Sequence, residues 1–300
     1  MSQTLVQEES TVLSLSGLKA ASRWLGNYAK SVYSQAGEDG VLAKALSVLP
    51  ARDRWCVEFG AWDGKHLSNT YNLVEGQDYR VVLVEGDATK FQQLQSEYPF
   101  RERAFFKNCL VGWTARDGLD AILGEYPIPR DFDLVSIDVD GNDYHIWKAM
   151  EGYRPKLVLI EINETASNRS QFVQPADPGL NVGSSPGALV RLGKEKGYEL
   201  ISVTKTNLLF VDAQYYGLFA IPDNSLEVMR DDEDATSVYV GMDGSVHLDG
   251  PARLVWHGVP LHMAQPLPGI LRHYPPTYNL LQRILFRLYR ILTYRGAATT

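Results

Sequence analysis

The chain has 300 residues, enough to bury a substantial core around one enzyme-sized domain with appendages. Its 29 basic residues against 36 acidic ones give a net charge of −7, and no basic run interleaved with aromatics marks the central region, so a nucleic-acid partner is excluded as the expected one. The two cysteines, Cys56 and Cys109, fall in or at the end of strand-like runs and read as reduced core side chains, neither a disulfide nor a metal pair.

In chain order, residues 1–30 read as a leader with one helix. They are polar at the start and lack the continuous apolar stretch of a secretory signal, so the cytoplasm is the expected compartment and the sequons at Asn163 and Asn168 carry no meaning. Residues 31–222 read as an α/β domain. Apolar runs at Trp55 to Phe59, Val81 to Glu85, Ala104 to Phe106, Asp133 to Asp138 and Leu157 to Glu161 are separated mostly by helix-length intervals, as parallel strands buried on both faces require. Tyr198 to Val203 and Asn207 to Val211 are separated only by Thr204, Lys205 and Thr206, too short a gap for a parallel crossover, so they form an antiparallel hairpin. Between them and the fifth strand, Thr165 to Gly187 is rich in Pro, Gly, Ser and Asn and reads as a long functional loop, an acceptor lid that orders on ligand binding.

Residues 223–300 read as an appendage. The acidic run Asp231 to Asp234 marks a solvated boundary, and short strand-like pieces at Val238 to Val240, Val246 to Leu248 and Leu254 to Trp256 are punctuated by turn signals. Leu280 to Arg295 follows a helical period, with Leu280, Leu281, Ile284, Leu285, Leu288, Ile291 and Leu292 on one broad face and Arg283, Arg287 and Arg290 on another. Such a basic amphipathic helix either lies in an anionic membrane surface, at the inner face, or packs on the enzyme or on a second subunit.

The first strand, its turn and the second strand carry the chemical signal. A strand ending at Glu58, Phe59 and Gly60, followed by a second strand ending in Glu85, suits a ligand with a ribose over the carboxyl edge of a sheet, Glu85 accepting bonds from its hydroxyls. Gly60 is followed by Ala61, Trp62, Asp63 and Gly64, and a tryptophan there blocks the backbone approach that a pyrophosphate needs. This disfavours a nucleotide-sugar oxidoreductase and favours a ligand with ribose and adenine but no phosphates, of which S-adenosylmethionine is the common one. Glu58 is placed to meet the amino or sulfonium side of that donor, with Gly60 allowing close approach. Asp63, Ser68 and Asn69 are open between ligand contact and capping of the next helix. Asn108, after the third strand, either bonds the adenine edge or is a turn residue.

The segments YSQAGEDGVL (Tyr33 to Leu42), VEFGAWDGKHLSNT, VVLVEGD, DLVSIDVDGNDYHIW (Asp133 to Trp147) and LVLIEIN (Leu157 to Asn163) stand in this order. In that combination the chain resembles the FkbM family of S-adenosylmethionine-dependent O-methyltransferases across roughly residues 31 to 215. The resemblance implies a class I methyltransferase (Rossmann-like) fold with a seven-stranded sheet and a hydroxyl acceptor, expected to be a saccharide or glycolipid. It also raises Gln35, Glu38 and Asp39, which by their chemistry alone are a solvated helix start, to donor contacts, with Ala61 and Gly86 beside them. Many members carry K-x-D-V-E-G where this chain has Ser136, Asp138, Val139, Asp140 and Gly141, so a cation is lost and one carboxylate shortened.

Asp138, Asp140, Asp143, His145, Glu161 and Asn163 concentrate acid chemistry at the ends of the fourth and fifth strands. Methyl transfer to an alcohol needs the hydroxyl in line with the sulfonium methyl and relieved of its proton. Asp138, Glu161 and Asn163 offer oxygen ligands to Mg²⁺ or Mn²⁺, Asp140 or His145 offers a general base, and Asp138 and Asp140 are also open to a structural role around Gly141. From another functional class, a non-catalytic scaffold that keeps the cofactor fold and acts through its C-terminal helix is the alternative, and the acids at the strand ends count against it.

Overall fold

The computed structural model describes residues 14–233, 235–253, 258–261, 265 and 267–293. Its main sheet is built from β1 (Trp55–Phe59), β2 (Arg80–Glu85), β3 (Ala104–Asn108), β4 (Leu134–Ile137), β5 (Leu157–Glu161), β6 (Tyr198–Val203) and β7 (Asn207–Asp212). The strand order is β3-β2-β1-β4-β5-β7-β6. β1 to β5 are mutually parallel and β7 runs antiparallel between β5 and β6. This is the seven-stranded class I methyltransferase sheet expected from the strand runs and the short 204–206 gap. Every residue of β1 and β4 is buried, which explains why these strands show no polar alternation.

Helices cover both faces: α1 (Leu15–Ser22), α2 (Glu38–Val48), α3 (Tyr71–Gln77), α4 (Ala88–Glu97), α5 (Leu119–Leu123), α6 (Asp143–Ala149) and α7 (Pro186–Glu195), followed by the short α8 (Ala213–Tyr216) and α9 (Leu226–Met229). Asp133, fully buried at the amino end of β4, accepts from the N–H groups of Asp53 and Arg54, the Tyr79 hydroxyl and Lys156 Nζ. It closes the edge of the sheet opposite the carboxyl ends, leaving the latter open at the point where β1 has neighbours of opposite connection, β2 and β4.

The chain divides into two compact units, one ending at Asp232 and the next beginning at Glu233. The expected boundary was near 222; α9 and Asp231 lie in the first unit because Asp231 pairs with Lys19 and Arg23 of the leader. Within the second unit β8 (Ser237–Val240) and β9 (Val246–Asp249) form an antiparallel hairpin, its turn carried by Gly244 at φ +77°. The expected strand at 254–256 lies outside the described residues. The amphipathic helix is α10 (Leu280–Thr293), with no buried residue; positions 294 and 295 of the expected helix are also outside them. Among the described residues no helix is long and apolar enough to cross a membrane.

Candidate active site

A cavity of about 540 Å³ opens at the carboxyl edge of β1, β2, β4 and β5. Ligand sites of this kind typically span roughly 300–1,000 Å³. The β1 end supplies its floor. Gly60 has φ +63°, and a Cβ built on it would lie 2.3 Å from the Asp138 carbonyl oxygen. The neighbouring β4 turn therefore requires a glycine here, and Gly60 also lines the cavity into which a ligand was expected to approach. Glu58 lines the cavity as well, and its carboxylate accepts from Ser68 Oγ (2.6 Å), the Asn69 N–H (2.7 Å) and Thr70 Oγ1 (2.6 Å). Burial pushes its pKa up and these bonds oppose the shift. Glu58 thus clasps the 68–70 turn into α3; Ser68 caps that helix through the N–H groups of Thr70 and Tyr71, while Asn69 reaches Ser136 Oγ and lines the cavity.

Glu85 lines the cavity, its two oxygens accepting the N–H groups of Trp62 (2.8 Å) and Asp87 (2.7 Å), each with a lone pair remaining. Ala61, Gly86 and Gln35 line the same space. Trp62, at φ +48°, forms part of the wall with Lys90 Nζ 4.3 Å over its ring. Lys90 is the one Lys or Arg among the lining residues. Asn108 is outside the lining: its amide donates to the Glu85 carbonyl at 2.7 Å, which makes it a clamp between β2 and β3. Leu110, Val111 and Trp113 occupy the place expected for it. The loop after β3 gave no polar motif from which to read them.

The acids meet where β4 and β5 end. Their register closes at Ile137 and Ile160, so Asp138 and Glu161 follow as neighbours. Asp140 returns toward them because its own backbone is left-handed, φ +57°. One carboxylate oxygen from each of Asp138, Asp140 and Glu161 falls within 4.8 Å of the others. Burial raises Asp138 to about 7, with Asp143, Asp140 and Glu58 adding repulsion. Glu161 is pushed far up by burial, then by Asp138, Asp143 and Asp140, and its Oε2 is buried without a partner. Three converging acids, one with an orphaned oxygen and none paired to a Lys or Arg among the described residues, fit a hard divalent cation.

Five expected contacts lie elsewhere. Asn163 is not the third ligand: Nδ2 donates to the Val182 carbonyl and Oδ1 accepts from Thr165 N–H and Oγ1, so both ends of its amide serve the following loop. His145 Nε2 bonds the Gln174 carbonyl at 2.7 Å and the ring stands outside the cavity lining. Asp39 Oδ2 gathers the N–H groups of Val32, Tyr33 and Ser34, and Asp63 Oδ1 those of Lys65 and His66; each closes its own loop. Glu38 likewise faces inward, to the Ala36 N–H, Thr204 Oγ1 and Asn207 Nδ2. Asp143, which carries the β4 turn, accepts from the N–H groups of Val139 and Gly141 at 2.9 Å each; burial nonetheless raises it to about 6.

The 165–187 loop is internally fastened, contrary to the lid expected to order only with ligand. Gln174, fully buried, accepts the N–H groups of Val182 and Gly183 and donates to the Leu180 carbonyl, while Arg230 binds the Glu164 and Ala166 carbonyls. Pro178 at its tip reaches the cavity wall.

No protein-family model matches the chain, and no curated protein matches it. Among solved structures it is similar to the O-methyltransferase TomG from Streptomyces achromogenes in complex with S-adenosylmethionine, at 18% identity and TM-score 0.39 over 69% of this chain and 92% of that one. It is also similar to the N-terminal domain of EvdMO1 with S-adenosylhomocysteine bound (10% identity, TM-score 0.39, 68% of this chain and 99% of that one). The glycopeptide N-methyltransferase MtfA with S-adenosylmethionine gives 12% identity and TM-score 0.35 over 56% and 84%. Likeness at this level adds nothing to the fold read from the strand order.

Proposed function

We propose that the protein transfers a methyl group from S-adenosylmethionine to a hydroxyl, with a saccharide as the acceptor class. The observation that carries this reading is the layout of one cavity: Glu85 at the β2 end for a ribose, and Asp138, Asp140 and Glu161 across the switch point at β4 and β5. Trp62 and Leu110 offer apolar surface beside Glu85, where a base would lie. The saccharide rests on the family resemblance and not on a particular residue.

In the transfer, the acceptor oxygen attacks the sulfonium methyl carbon. The new C–O bond forms as the C–S bond breaks, the bonding pair returns to sulfur as a neutral thioether, and the hydroxyl proton passes to a carboxylate lining the cavity or to solvent. A cation held by Asp138, Asp140 and Glu161 would polarise that hydroxyl as a Lewis acid. Asp143 keeps the 139–141 turn closed, so that Asp140 stays beside Asp138, and Asn69 holds the β4 strand through Ser136. A second reading, base catalysis without metal, draws on Asp138 itself, whose pKa near 7 suits proton transfer at neutral pH.

Labelled S-adenosylmethionine incubated with a panel of saccharide acceptors, with and without excess chelator, tests both. Label on an acceptor hydroxyl supports the function; loss of turnover in chelator, restored by Mg²⁺ or Mn²⁺, selects the metal reading. No transfer to any hydroxyl acceptor argues against O-methylation. For α10, salt-sensitive flotation with anionic vesicles would identify membrane contact, and a concentration-dependent dimer would identify a second subunit.

A further inference from the structure

One buried oxygen in the cavity has no role in the arrangement above. Asn207, the first residue of β7, is 5% exposed and lines the cavity, and its Oδ1 has no hydrogen-bond partner. Across the antiparallel β5–β7 pairing it stands opposite Glu161, whose Oε2 is also unpartnered. Residues directly opposite in such a pair project to the same face. Asp138, Glu161 and Asn207 therefore form a row across three adjacent strands, β4, β5 and β7, at the site's edge of the sheet.

The direction of the Asn207 amide is fixed from behind. Nδ2 donates to Glu38 Oε1 at 3.2 Å and Thr206 Oγ1 at 3.0 Å. Turning the amide over would set Oδ1 against the Glu38 carboxylate, two acceptors with no proton between them. Glu38 is itself held by the Ala36 N–H and Thr204 Oγ1, so the carboxylate is not free to turn away. A neutral amide oxygen is also the fitting addition to this cluster, since it contributes a ligand without adding charge to three mutually repelling acids.

We propose that Asn207 Oδ1 is a fourth oxygen ligand for a hard divalent cation, alongside Asp138, Asp140 and Glu161, and that Glu38 is the positioning residue that aims it. This rests on the metal-assisted reading. It also gives Glu38, which the resemblance placed at the donor, a role one layer behind the site.

The test is Mn²⁺ titration of the full chain by calorimetry, with S-adenosylhomocysteine titrated in parallel. N207A should weaken Mn²⁺ by at least about 10-fold, the scale seen when the support of a metal site is removed, while leaving S-adenosylhomocysteine affinity unchanged. In the parent protein Mn²⁺ should broaden the Asn207 side-chain amide signal in a ¹⁵N spectrum, and this measurement decides the matter if N207A does not fold. Mn²⁺ binding abolished by D138N but equal in parent and N207A, or an unbroadened Asn207 signal in the Mn²⁺-bound parent, overturns the role of Asn207 and leaves the metal reading standing. Failure of the parent to bind Mn²⁺ at all overturns the metal reading and this inference with it.

Discussion

Gly60 and Asp138 belong to different strand-end turns, yet the Asp138 carbonyl oxygen occupies the space, 2.3 Å away, where a side chain on Gly60 would begin. The turn that ends β1 and the turn that carries the acids are thereby locked to each other.

Gly60→Ala should consequently damage both. The left-handed backbone at φ +63° alone costs on the order of 1–3 kcal/mol for a residue with a side chain, before the overlap with Asp138 is relieved. Urea denaturation should show that loss, and S-adenosylhomocysteine binding should fall further than stability alone explains, because Asp138 must move. Unchanged affinity and stability in this variant would mean the two turns are not coupled.

The acid cluster should make the metal-free protein less stable as pH rises. Asp138 titrates near 7 in the folded chain and Glu161 higher still, above the ordinary range of about 4 in an unfolded chain. A raised carboxyl contributes stability that is full below the unfolded value and is lost as pH climbs through the folded one. Thermal midpoints without metal should therefore fall between pH 5 and about 7.5, and Asp138→Asn with Glu161→Gln should flatten that fall. A cation must displace the same protons, so Mn²⁺ affinity should rise over this interval with proton release, measurable in buffers of different ionisation enthalpy. A flat stability profile in the parent contradicts the crowding of unpaired acids.

Asp133 gives a contrasting prediction at the far edge of the sheet. Replacing it by Asn removes one partner of the buried Lys156 ammonium, 2.7 Å away, and because Asp53 still meets that ammonium the loss should stay below the roughly 3–5 kcal/mol of a fully uncompensated buried charge. Chemical denaturation should show this loss while S-adenosylhomocysteine affinity of the folded protein stays at the parent value. A loss of affinity with intact stability would place Asp133 in the ligand site instead.

The fold was legible because its strands are short, apolar and bounded. Trp55–Phe59, Leu157–Glu161 and Tyr198–Val203 run as their residues indicate, and the three-residue gap before Asn207 dictated an antiparallel partner. Strand-end acids were legible for the same reason, which is why Glu85, Asp138 and Glu161 fall on one cavity. What spacing does not carry is where a polar side chain turns once the strand has ended. Glu58, Asp39 and Asn163 close their own loops through neighbouring N–H and hydroxyl groups, and the Ser68, Asn69, Thr70 sequence after Glu58 was the available sign of such a clasp. Asp140 reaches the cluster only through a left-handed backbone at a non-glycine residue, a conformation that residue type does not announce. Asn207 meets Glu161 through pairing between strands 46 positions apart in the chain, a relation that local pattern cannot contain.

The central claim, that this cavity binds S-adenosylmethionine with Glu85 on its ribose, is tested most directly by calorimetric titration of the full chain with S-adenosylhomocysteine and, separately, with NAD. The account predicts saturable binding of S-adenosylhomocysteine with one site per chain and none of NAD. Glu85→Ala should weaken that binding by roughly 1.5–3 kcal/mol for each charge-assisted bond lost to the ribose hydroxyls. Binding of NAD in preference to S-adenosylhomocysteine, or an affinity for S-adenosylhomocysteine that Glu85→Ala leaves unchanged, would contradict it.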